Sequence, residues 1–371
     1  MPKIAFLWPE VEFRALGLTA PSGYTMNFGR AGVRAEAEAA SINADYIISA
    51  SGSGTVDSAL LGLAPKTRLV QLTGAGYDNV DRHECARLSI PVAYMPGLNA
   101  PSVAQTVVQM AFRLRRPLTL LTRGGAEEWT AARANNITGH ELNGRVGVIG
   151  FGHIGRAVAS LFIGLGLEVV RAAHVKQADP FVHALSLEEL ISTSDIIVVA
   201  LPATTKTKNL IDTSLLSLIK PGAILLNCGR GGIVDEAALS VLIETGRLAG
   251  AGFDVFEQEP LPKSHPFLSL PSECRHRVIL TAHVAGQTTE SKRRNFSIAL
   301  DNVGRVARGE PPLYQLSKED QELWSLFTKE IEVFEQESCE ESFETLLKEG
   351  EEEALKPTQK ILHTKQKTTS Y

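Results

Sequence analysis

Cysteine is scarce in this sequence of 371 residues, and no cysteine motif is present. The four cysteines, Cys85, Cys228, Cys274 and Cys339, are scattered and form neither a CxxC pair nor a spacing typical of zinc ligands. We therefore expect reduced thiols in a reducing compartment, and no metal site.

Long apolar runs are missing as well. No run approaches the roughly 18 residues that a membrane span needs. The apolar stretch from Ile4 to Trp8 is too short for the core of a signal peptide. The composition, 44% hydrophobic and 21% charged, is that of an ordinary globular protein. We expect a cytoplasmic protein without a membrane partner.

An excess of basic charge is also lacking. The formal net charge is −5, and residues 314–371 hold 14 acidic and 7 basic side chains, so residues 1–313 are close to neutral. This balance gives no indication of a nucleic-acid partner. In the acidic tail, residues 314–371, the stretch Ser317-Lys318-Glu319-Asp320 fits a helical capping box, and the Glu-rich and Lys/Thr-rich end cannot bury a core. The tail is expected to be partly helical and then disordered.

Short apolar runs recur along the chain, with helical patterns between them. Most runs are nearly continuous Val, Ile and Leu, as in parallel strands that are buried on both faces. This alternation predicts an α/β fold of two doubly wound, Rossmann-like parallel sheets. The candidate strands are Lys3–Trp8, Tyr46–Ile48, Leu69–Leu72, Val92–Met95, Val146–Ile149, Val169–Ala172, Ile196–Ala200, Ala223–Asn227, Gly250–Val255 and Val278–Thr281. The first 45 residues, with "TAPSGYTMNFG", show no clear pattern beyond the first strand.

The pattern of strands is interrupted once. After Met95 a long helical run, Ser102–Leu121 with Pro117 inside it, is followed by no strand until Val146, which indicates a connector between two units. A further helix, Thr289–Arg308, would return to the first unit. The predicted domains are therefore residues 1–99 with 288–313, and residues 100–287.

A glycine motif follows the strand that begins the second unit. Gly150, Gly152 and Gly155 form GxGxxG between an apolar strand and a helix. The first glycine permits the tight turn, the second lets the backbone approach a pyrophosphate, and the third lets helix and strand pack closely. With both flanks correct, the motif predicts a dinucleotide site.

The acidic residue that usually follows such a motif is absent. An Asp or Glu is expected about 20 residues on, at the end of the next strand, where it binds the ribose hydroxyls and repels a 2′-phosphate. This chain has Ala173 there, followed by His174 and Lys176. These two side chains either bind a 2′-phosphate or are simply solvated. We expect NAD or NADP as the cofactor, with NADP slightly favoured.

Three polar residues follow three successive strands of the second unit. Arg230, Glu259 and His283 would share one edge of a parallel sheet, where ligands bind. An imidazole paired with a carboxylate can exchange a proton near neutral pH. A guanidinium can bind a carboxylate through two hydrogen bonds and polarise an adjacent carbonyl. Together with a dinucleotide site, the three predict an enzyme.

These features resemble the D-isomer-specific 2-hydroxyacid dehydrogenases, the family of phosphoglycerate dehydrogenase and glyoxylate/hydroxypyruvate reductase. Two departures from the family pattern are the pair Gln105-Thr106, where Glu and often His are usual, and Ala282, where proline is usual. The matching stretches are, in order, "GAGYDNVD", "PGLNAPSVAQ", "VGVIGFGHIG", "NCGRGGIVDE", "GFDVFEQEPLP" and "ILTAHVAGQT".

The resemblance implies roles for individual residues. Arg230 would bind and polarise a 2-oxo acid, and His283 with its partner Glu259 would be the acid/base. The first unit would be a flavodoxin-like substrate-binding domain, and the second the dinucleotide-binding Rossmann domain. The implied cofactor-binding residues are Gly150, Gly152, His153, Ile154, Gly155, His174, Leu201, Pro202, Cys228, Gly229, Arg230, Asp254 (facing the nicotinamide carboxamide), His283 and Gly286. The implied substrate-binding residues are Ser53, Ala75, Gly76, Asn99 and Arg230.

The expected function is interconversion of a 2-oxo acid and a D-2-hydroxy acid by hydride transfer. Two alternatives remain on the same scaffold. One is a dinucleotide-sensing, corepressor-like binding protein, since such relatives carry long C-terminal tails. The other is an enzyme acting on a different small anion, such as formate or phosphite. The resemblance and the apolar helix from Ser102 to Arg116 also predict a homodimer formed through the dinucleotide domains.

Overall fold

The computed structural model describes residues 1–51, 54–118, 121–134, 139–173, 179 and 182–317. These residues form two parallel β-sheets, and each sheet packs between two clusters of buried apolar side chains. The predicted fold class, with two doubly wound α/β units, is confirmed. The predictions for Ser53, His174, Lys176 and the tail beyond Ser317 lie outside the described residues.

The first sheet contains five parallel strands in the order β2-β1-β3-β4-β5, which is the flavodoxin-like order. Its carboxyl edge leads into the loops that carry Ala75, Gly76 and Asn99. The strands are β1 (Lys3–Leu7), β2 (Thr25–Phe28), β3 (Tyr46–Ser49), β4 (Val70–Leu72) and β5 (Val92–Ala93). The helices between them are α1 (Glu10–Ala15), α2 (Arg34–Ser41), α3 (Ser58–Leu63) and α4 (Arg82–Arg87).

The first 45 residues are more regular than the sequence indicated. Strand β2 lies within the stretch that showed no pattern, and it pairs in parallel with β1 from Lys3 opposite Thr25 to Phe6 opposite Phe28. None of its four residues is fully buried, and it is one of the two edge strands of the sheet. An edge strand of this kind lacks the continuous apolar run that marks the buried strands.

Two helices connect the sheets. Helix α5 (Ala100–Arg115) ends two residues before Pro117. The sequence had predicted that this helical run continues to Leu121. Proline disfavours the helical conformation of the residue before it, and Arg116 has φ −139° and ψ 80°. Helix α6 (Ala126–Ala134) follows, and no residue of it is buried.

The second sheet contains seven parallel strands in the order β12-β11-β10-β9-β6-β7-β8. The order reverses between β6 and β9, and ligands bind at the carboxyl ends of strands at such a point. The strands are β6 (Arg145–Ile149), β7 (Glu168–Ala172), β8 (His183–Leu185), β9 (Ile196–Val199), β10 (Ile224–Asn227), β11 (Gly250–Phe253) and β12 (Val278–Leu280). The helices are α7 (His153–Gly164), α8 (Leu187–Thr193), α9 (Thr213–Ser217) and α10 (Glu236–Glu244), with short 3₁₀ turns at Pro266–Leu268 and Arg275–Arg277.

The last described helix, α11 (Thr289–Ala307), returns to the first sheet as predicted. Its Phe296 packs edge-on against Phe6 of β1, with ring centroids 4.9 Å apart. Its Asn302 donates from Nδ2 to Oε1 of Gln71 on β4 at 2.6 Å, and both side chains are buried. The chain therefore crosses between the sheets twice. Among the described helices, none is both long and apolar enough to cross a membrane.

Candidate active site

The turn after β10 is built around the side chain of Asn227. Its Oδ1 accepts a hydrogen bond from the Gly229 amide at 3.1 Å, and its Nδ2 donates to the Arg230 carbonyl at 3.0 Å. A Cβ on Gly229 would lie 2.5 Å from the Leu201 carbonyl oxygen. Glycine is required there because the turn passes directly against the next loop. The turn holds Arg230 at the carboxyl edge of the sheet.

The guanidinium of Arg230 reaches the loop after β4. Its Nε donates to Oδ2 of Asp78 at 3.2 Å, and its Nη1 donates to the Gly229 carbonyl at 2.9 Å. A Cβ on Gly76 would lie 2.1 Å from Nη2. Arg230 therefore spans the gap between the two sheets, and its side chain is 29% exposed. The sequence did not single out Asp78 as its partner.

His283 and Glu259 form a hydrogen-bonded pair. Nδ1 of His283 lies 2.8 Å from Oε2 of Glu259, and Oε1 of Glu259 accepts the Phe256 amide hydrogen at 2.9 Å. Burial alone would raise the pKa of Glu259, but the hydrogen bonds from His283 and Phe256 outweigh it and hold this pKa below its ordinary value of 4.5. Glu259 is thus a carboxylate at neutral pH. Because Glu259 pairs with Nδ1 of His283, Nε2 of the same ring is available to another partner.

The loop that carries His283 is held by the buried side chain of Asp254. Oδ1 accepts from Thr281 Oγ1 at 2.6 Å and from the Val284 amide at 2.9 Å, and Oδ2 accepts from the Ala285 amide at 3.0 Å. His283 itself adopts a left-handed conformation, φ 55°, which is uncommon outside glycine. Asp254 therefore fixes an unusual backbone at the residue that would exchange a proton.

One cleft between the sheets brings nine of the predicted site residues together. Glu259 contacts the cleft through His283, while Gly229, Leu201 and Pro202 do not line it. His153 packs against the first unit instead, where a Cβ on Gly97 would lie 2.6 Å from its Cγ. The predicted residues that line the cleft are Ala75, Gly76, Asn99, Ile154, Cys228, Arg230, Asp254, His283 and Gly286.

The glycine motif has the geometry that a dinucleotide needs. Gly150 has φ +99°, and a Cβ on Gly155 would lie 2.0 Å from the Gly150 carbonyl oxygen, so both positions require glycine. A Cβ on Gly152 would meet nothing within 4 Å, which leaves open space where a pyrophosphate approaches the backbone. Helix α7 begins at the next residue, and its first amide groups and positive dipole end favour an anion there. The residues present therefore fit the cofactor.

The end of β7, where a ribose-binding carboxylate was expected, carries Ala173 instead. Ala173 is exposed, and its amide donates to the Leu185 carbonyl at 2.7 Å. Nearby, Arg156 of α7 stacks over the ring of Phe151 at 4.9 Å and pairs with Asp179 at 2.5 Å. The sequence did not indicate this pair, which joins the first turn of α7 to a residue that follows β7.

Comparison with known proteins identifies the family. The profile "D-isomer specific 2-hydroxyacid dehydrogenase, NAD binding domain" matches residues 108–285. The (S)-sulfolactate dehydrogenase of Chromohalobacter salexigens is 38% identical over 264 residues, which are 68% of this chain and 81% of that protein. The chain belongs to the D-isomer specific 2-hydroxyacid dehydrogenase family. The glyoxylate reductase of Aeropyrum pernix is 33% identical over 276 residues, 71% of this chain and 80% of that protein.

Solved structures agree with this assignment. The TT0316 protein of Thermus thermophilus has a TM-score of 0.71 at 27% identity, covering 85% of this chain and 99% of that one. The NADPH-dependent glyoxylate/hydroxypyruvate reductase of Sinorhizobium meliloti, solved with citrate, has a TM-score of 0.69 at 25% identity, covering 85% and 98%. The predicted family, enzyme class and use of NAD or NADP are confirmed. This member of the family is an NAD(P)-dependent oxidoreductase of 2-hydroxy acids.

Sequence reasoning missed the wall of the cleft that is formed by the residues just after β1 and β4 and by the first two turns of α11. Trp8, Thr73, Ser291, Lys292 and Asn295 all line it. Trp8 and Lys292 are 284 residues apart in the chain, so no local pattern connects them. The one signal in the sequence that could have indicated Lys292 is its positive charge near the start of the helix that follows His283.

Proposed function

We propose that this enzyme reduces a 2-oxo acid to the D-2-hydroxy acid, and catalyses the reverse reaction, with Arg230, His283 and Glu259 as its catalytic residues. One observation carries the proposal. The Arg230 guanidinium and the His283–Glu259 pair face one cleft, which also adjoins the dinucleotide turn. A cation for the acid, a proton donor and a hydride source are the three components that the reaction needs.

In the direction of reduction, a bound dihydronicotinamide supplies the hydride to the 2-oxo carbon. Arg230 binds the substrate carboxylate and polarises the carbonyl, since a planar guanidinium donates two hydrogen bonds in parallel. The carbonyl π bond breaks, and its oxygen takes a proton from Nε2 of His283. Glu259 holds the ring at Nδ1 and stabilises the imidazolium before transfer. The products are the hydroxy acid and the oxidised cofactor.

The cofactor-binding role is assigned to residues around the glycine turn. Gly150, Gly152 and Gly155 would admit the pyrophosphate, and Ile154, Cys228, Asp254 and Gly286 would line the nicotinamide end. His153, Leu201, Pro202 and Gly229 would flank it. Exposed Ala173 supports NADP slightly over NAD, because no carboxylate at this strand end repels a 2′-phosphate.

The substrate carboxylate is assigned to the loop after β4. Ala75 and Gly76 line the cleft, and Gly76 lies directly against the Arg230 guanidinium. Asn99 also lines it and has a buried Oδ1 without a hydrogen-bond partner within the described part of the chain. On this proposal residues 1–99 with 288–313 form the substrate-binding domain, and residues 100–287 form the dinucleotide-binding domain.

A homodimer is proposed as well. Large apolar side chains are exposed along the connector between the sheets, namely Phe112 at 45%, Leu118 at 62%, Leu121 at 44% and Trp129 at 55%. One face of α5 is buried within the chain, so this connector rather than α5 alone would meet a second copy. The cytoplasmic location stays a prediction from the sequence. The relatives described above are dehydrogenases and reductases, and they favour the enzyme over the corepressor-like alternative.

The test is a reductase assay of the purified full chain with NADH and NADPH against glyoxylate, hydroxypyruvate and 3-sulfopyruvate. We expect substrate-dependent oxidation of the cofactor, and D-glycerate from hydroxypyruvate. Arg230→Lys should lose most of this activity, because an ammonium cannot bind two substrate oxygens as a planar fork does. Arg14→Lys, an exposed arginine of α1, is the matched control. No 2-oxo-acid-dependent oxidation by the wild type, or near wild-type activity of Arg230→Lys, would overturn the proposal.

A further inference from the structure

The cleft contains a second cation besides Arg230. Lys292 lies in the first turn of α11, and its side chain is 22% exposed where it lines the same cleft as Arg230 and His283. A simple 2-oxo acid carries one negative charge, and Arg230 is sufficient to bind it. The reaction as proposed therefore leaves Lys292 without a role.

The ammonium of Lys292 is held in a defined position. Its Nζ lies 2.7 Å from Oε2 of Glu12 and 4.9 Å from the centroid of the Trp8 ring. The indole is fixed in turn, because its Nε1 donates to Oγ1 of Thr73 at 3.1 Å. An aromatic face attracts a cation without neutralising its charge, so the ammonium remains available to an anion.

The ion pair with Glu12 does not prevent the ammonium of Lys292 from binding an anion. The side chain of Glu12 is 39% exposed, and it belongs to the short outer helix α1. Because the Glu12 carboxylate remains in contact with solvent, a substrate anion can compete with it for the ammonium or share the ammonium with it. Asp254 is the one acidic residue among the described residues that line the cleft, and it is buried and committed to the loop that carries His283.

A second polar group lies beside Lys292. Ser291 lines the cleft and is 1% exposed, and its Oγ has no hydrogen-bond partner among the residues that the structure describes. A buried hydroxyl without a partner is costly, and such a group is commonly satisfied by a ligand or a water molecule. The hydroxyl of Ser291 and the ammonium of Lys292 are thus two kinds of donor that line one cleft.

We propose that Lys292 is a specificity-determining residue, and that the substrate of this enzyme carries a second anionic group, which Lys292 binds with Ser291. The substrate class is a 2-oxo acid whose far end bears a carboxylate or an equivalent anion. Arg230 binds the 2-oxo acid end, and Lys292 binds the other end. The inference rests on the proposed function, since it assumes that Arg230 and His283 act on the 2-oxo group.

The test compares two substrates that differ in the second anion, pyruvate and oxaloacetate, at a saturating concentration of the preferred cofactor. We expect the wild type to favour oxaloacetate in kcat/KM by at least tenfold, which corresponds to about 1.4 kcal/mol. Lys292→Met should lower kcat/KM for oxaloacetate at least tenfold more than for pyruvate, and Lys292→Arg should restore most of the preference. Glu12→Gln removes the ion pair but keeps the cation, so it should retain the wild-type ratio.

The alternatives give different results. If Lys292 only ties α11 to α1, Lys292→Met and Glu12→Gln will lower kcat/KM for both substrates by the same factor, and the inference is wrong. A wild type that reduces pyruvate as well as or better than oxaloacetate also overturns the inference but leaves the proposed function standing. If neither substrate, nor any acid of the wider panel, supports cofactor oxidation, the proposed function fails and the inference with it.

Discussion

Gly231 lies directly against the backbone of Phe256, so that a Cβ on Gly231 would stand 1.8 Å from the Phe256 carbonyl carbon. This contact joins the turn that carries Arg230 to the loop that carries Glu259. The distance between Arg230, the proposed substrate-binding cation, and Glu259, the partner of His283, is therefore set by a residue without a side chain. Any side chain here has to push the two loops apart.

The first prediction concerns this contact. Gly231→Ala should lower kcat/KM by about 100-fold, since a displacement of about 1 Å in a catalytic group has an effect of that size. Steady-state kinetics with the best 2-oxo acid measures it. Gly164→Ala is the control, because Gly164 is in helix α7 and a Cβ there would meet nothing within 4 Å. The control should keep its activity and gain slightly in stability. Equal activity of the two variants would show that the two loops tolerate separation.

The second prediction is a pH dependence of stability. The pKa of Glu259 is lowered in the folded protein, so its contribution to stability is fully present above its ordinary value of 4.5 and is lost as the pH falls through the lower folded value. The thermal midpoint of the wild type should therefore exceed that of Glu259→Gln near neutral pH, and the difference should shrink below about pH 4.5. Thermal unfolding of both proteins over this pH range measures it.

The exposed neighbour Glu257 provides the control for that experiment. Glu257→Gln should show a smaller difference from the wild type, with no comparable dependence on pH. A difference between the wild type and Glu259→Gln that stays constant down to about pH 3.5 would contradict a depressed pKa.

The third prediction concerns cofactor choice. The wild type should discriminate weakly against NADPH or prefer it, and Ala173→Asp should shift the ratio of kcat/KM towards NADH by at least tenfold. The new carboxylate would accept charge-assisted hydrogen bonds from the ribose, worth about 1.5–3 kcal/mol, and would repel a 2′-phosphate. Ala173→Asn, similar in shape but uncharged, should shift the ratio much less. A wild type that prefers NADH by more than 100-fold would show that another residue binds the ribose.

Strands with a continuous apolar run were predictable from the sequence, including the edge strands β5 and β12. All ten predicted strands are present, with ends that differ by up to two residues, because most of them are buried on both faces and read as continuous apolar runs. The two missed strands, β2 and β8, lie at the outer edges of their sheets and have no fully buried residue. Their pairing depends on the neighbouring strand rather than on their own composition.

The candidate site was likewise predictable only in part from the sequence. Arg230, Glu259 and His283 could be placed together because each follows a strand of one parallel sheet, and the topology brings such positions to one edge. The contacts of Arg230 with Asp78 and of Lys292 with Glu12 and Trp8 could not be predicted, because they join segments 152, 280 and 284 residues apart across two sheets. Only the relative placement of the sheets determines them.

The most direct test of the central claim is the turnover of His283→Ala beside its affinity for NADPH. We predict that kcat falls about 100-fold or more, the usual effect of losing a general acid, while the Kd for NADPH, measured by fluorescence titration, changes less than threefold. Both together would show that the loss of turnover reflects lost proton transfer rather than misfolding or lost cofactor binding. A variant that turns over at close to the wild-type rate, or that loses NADPH binding together with activity, would contradict the account.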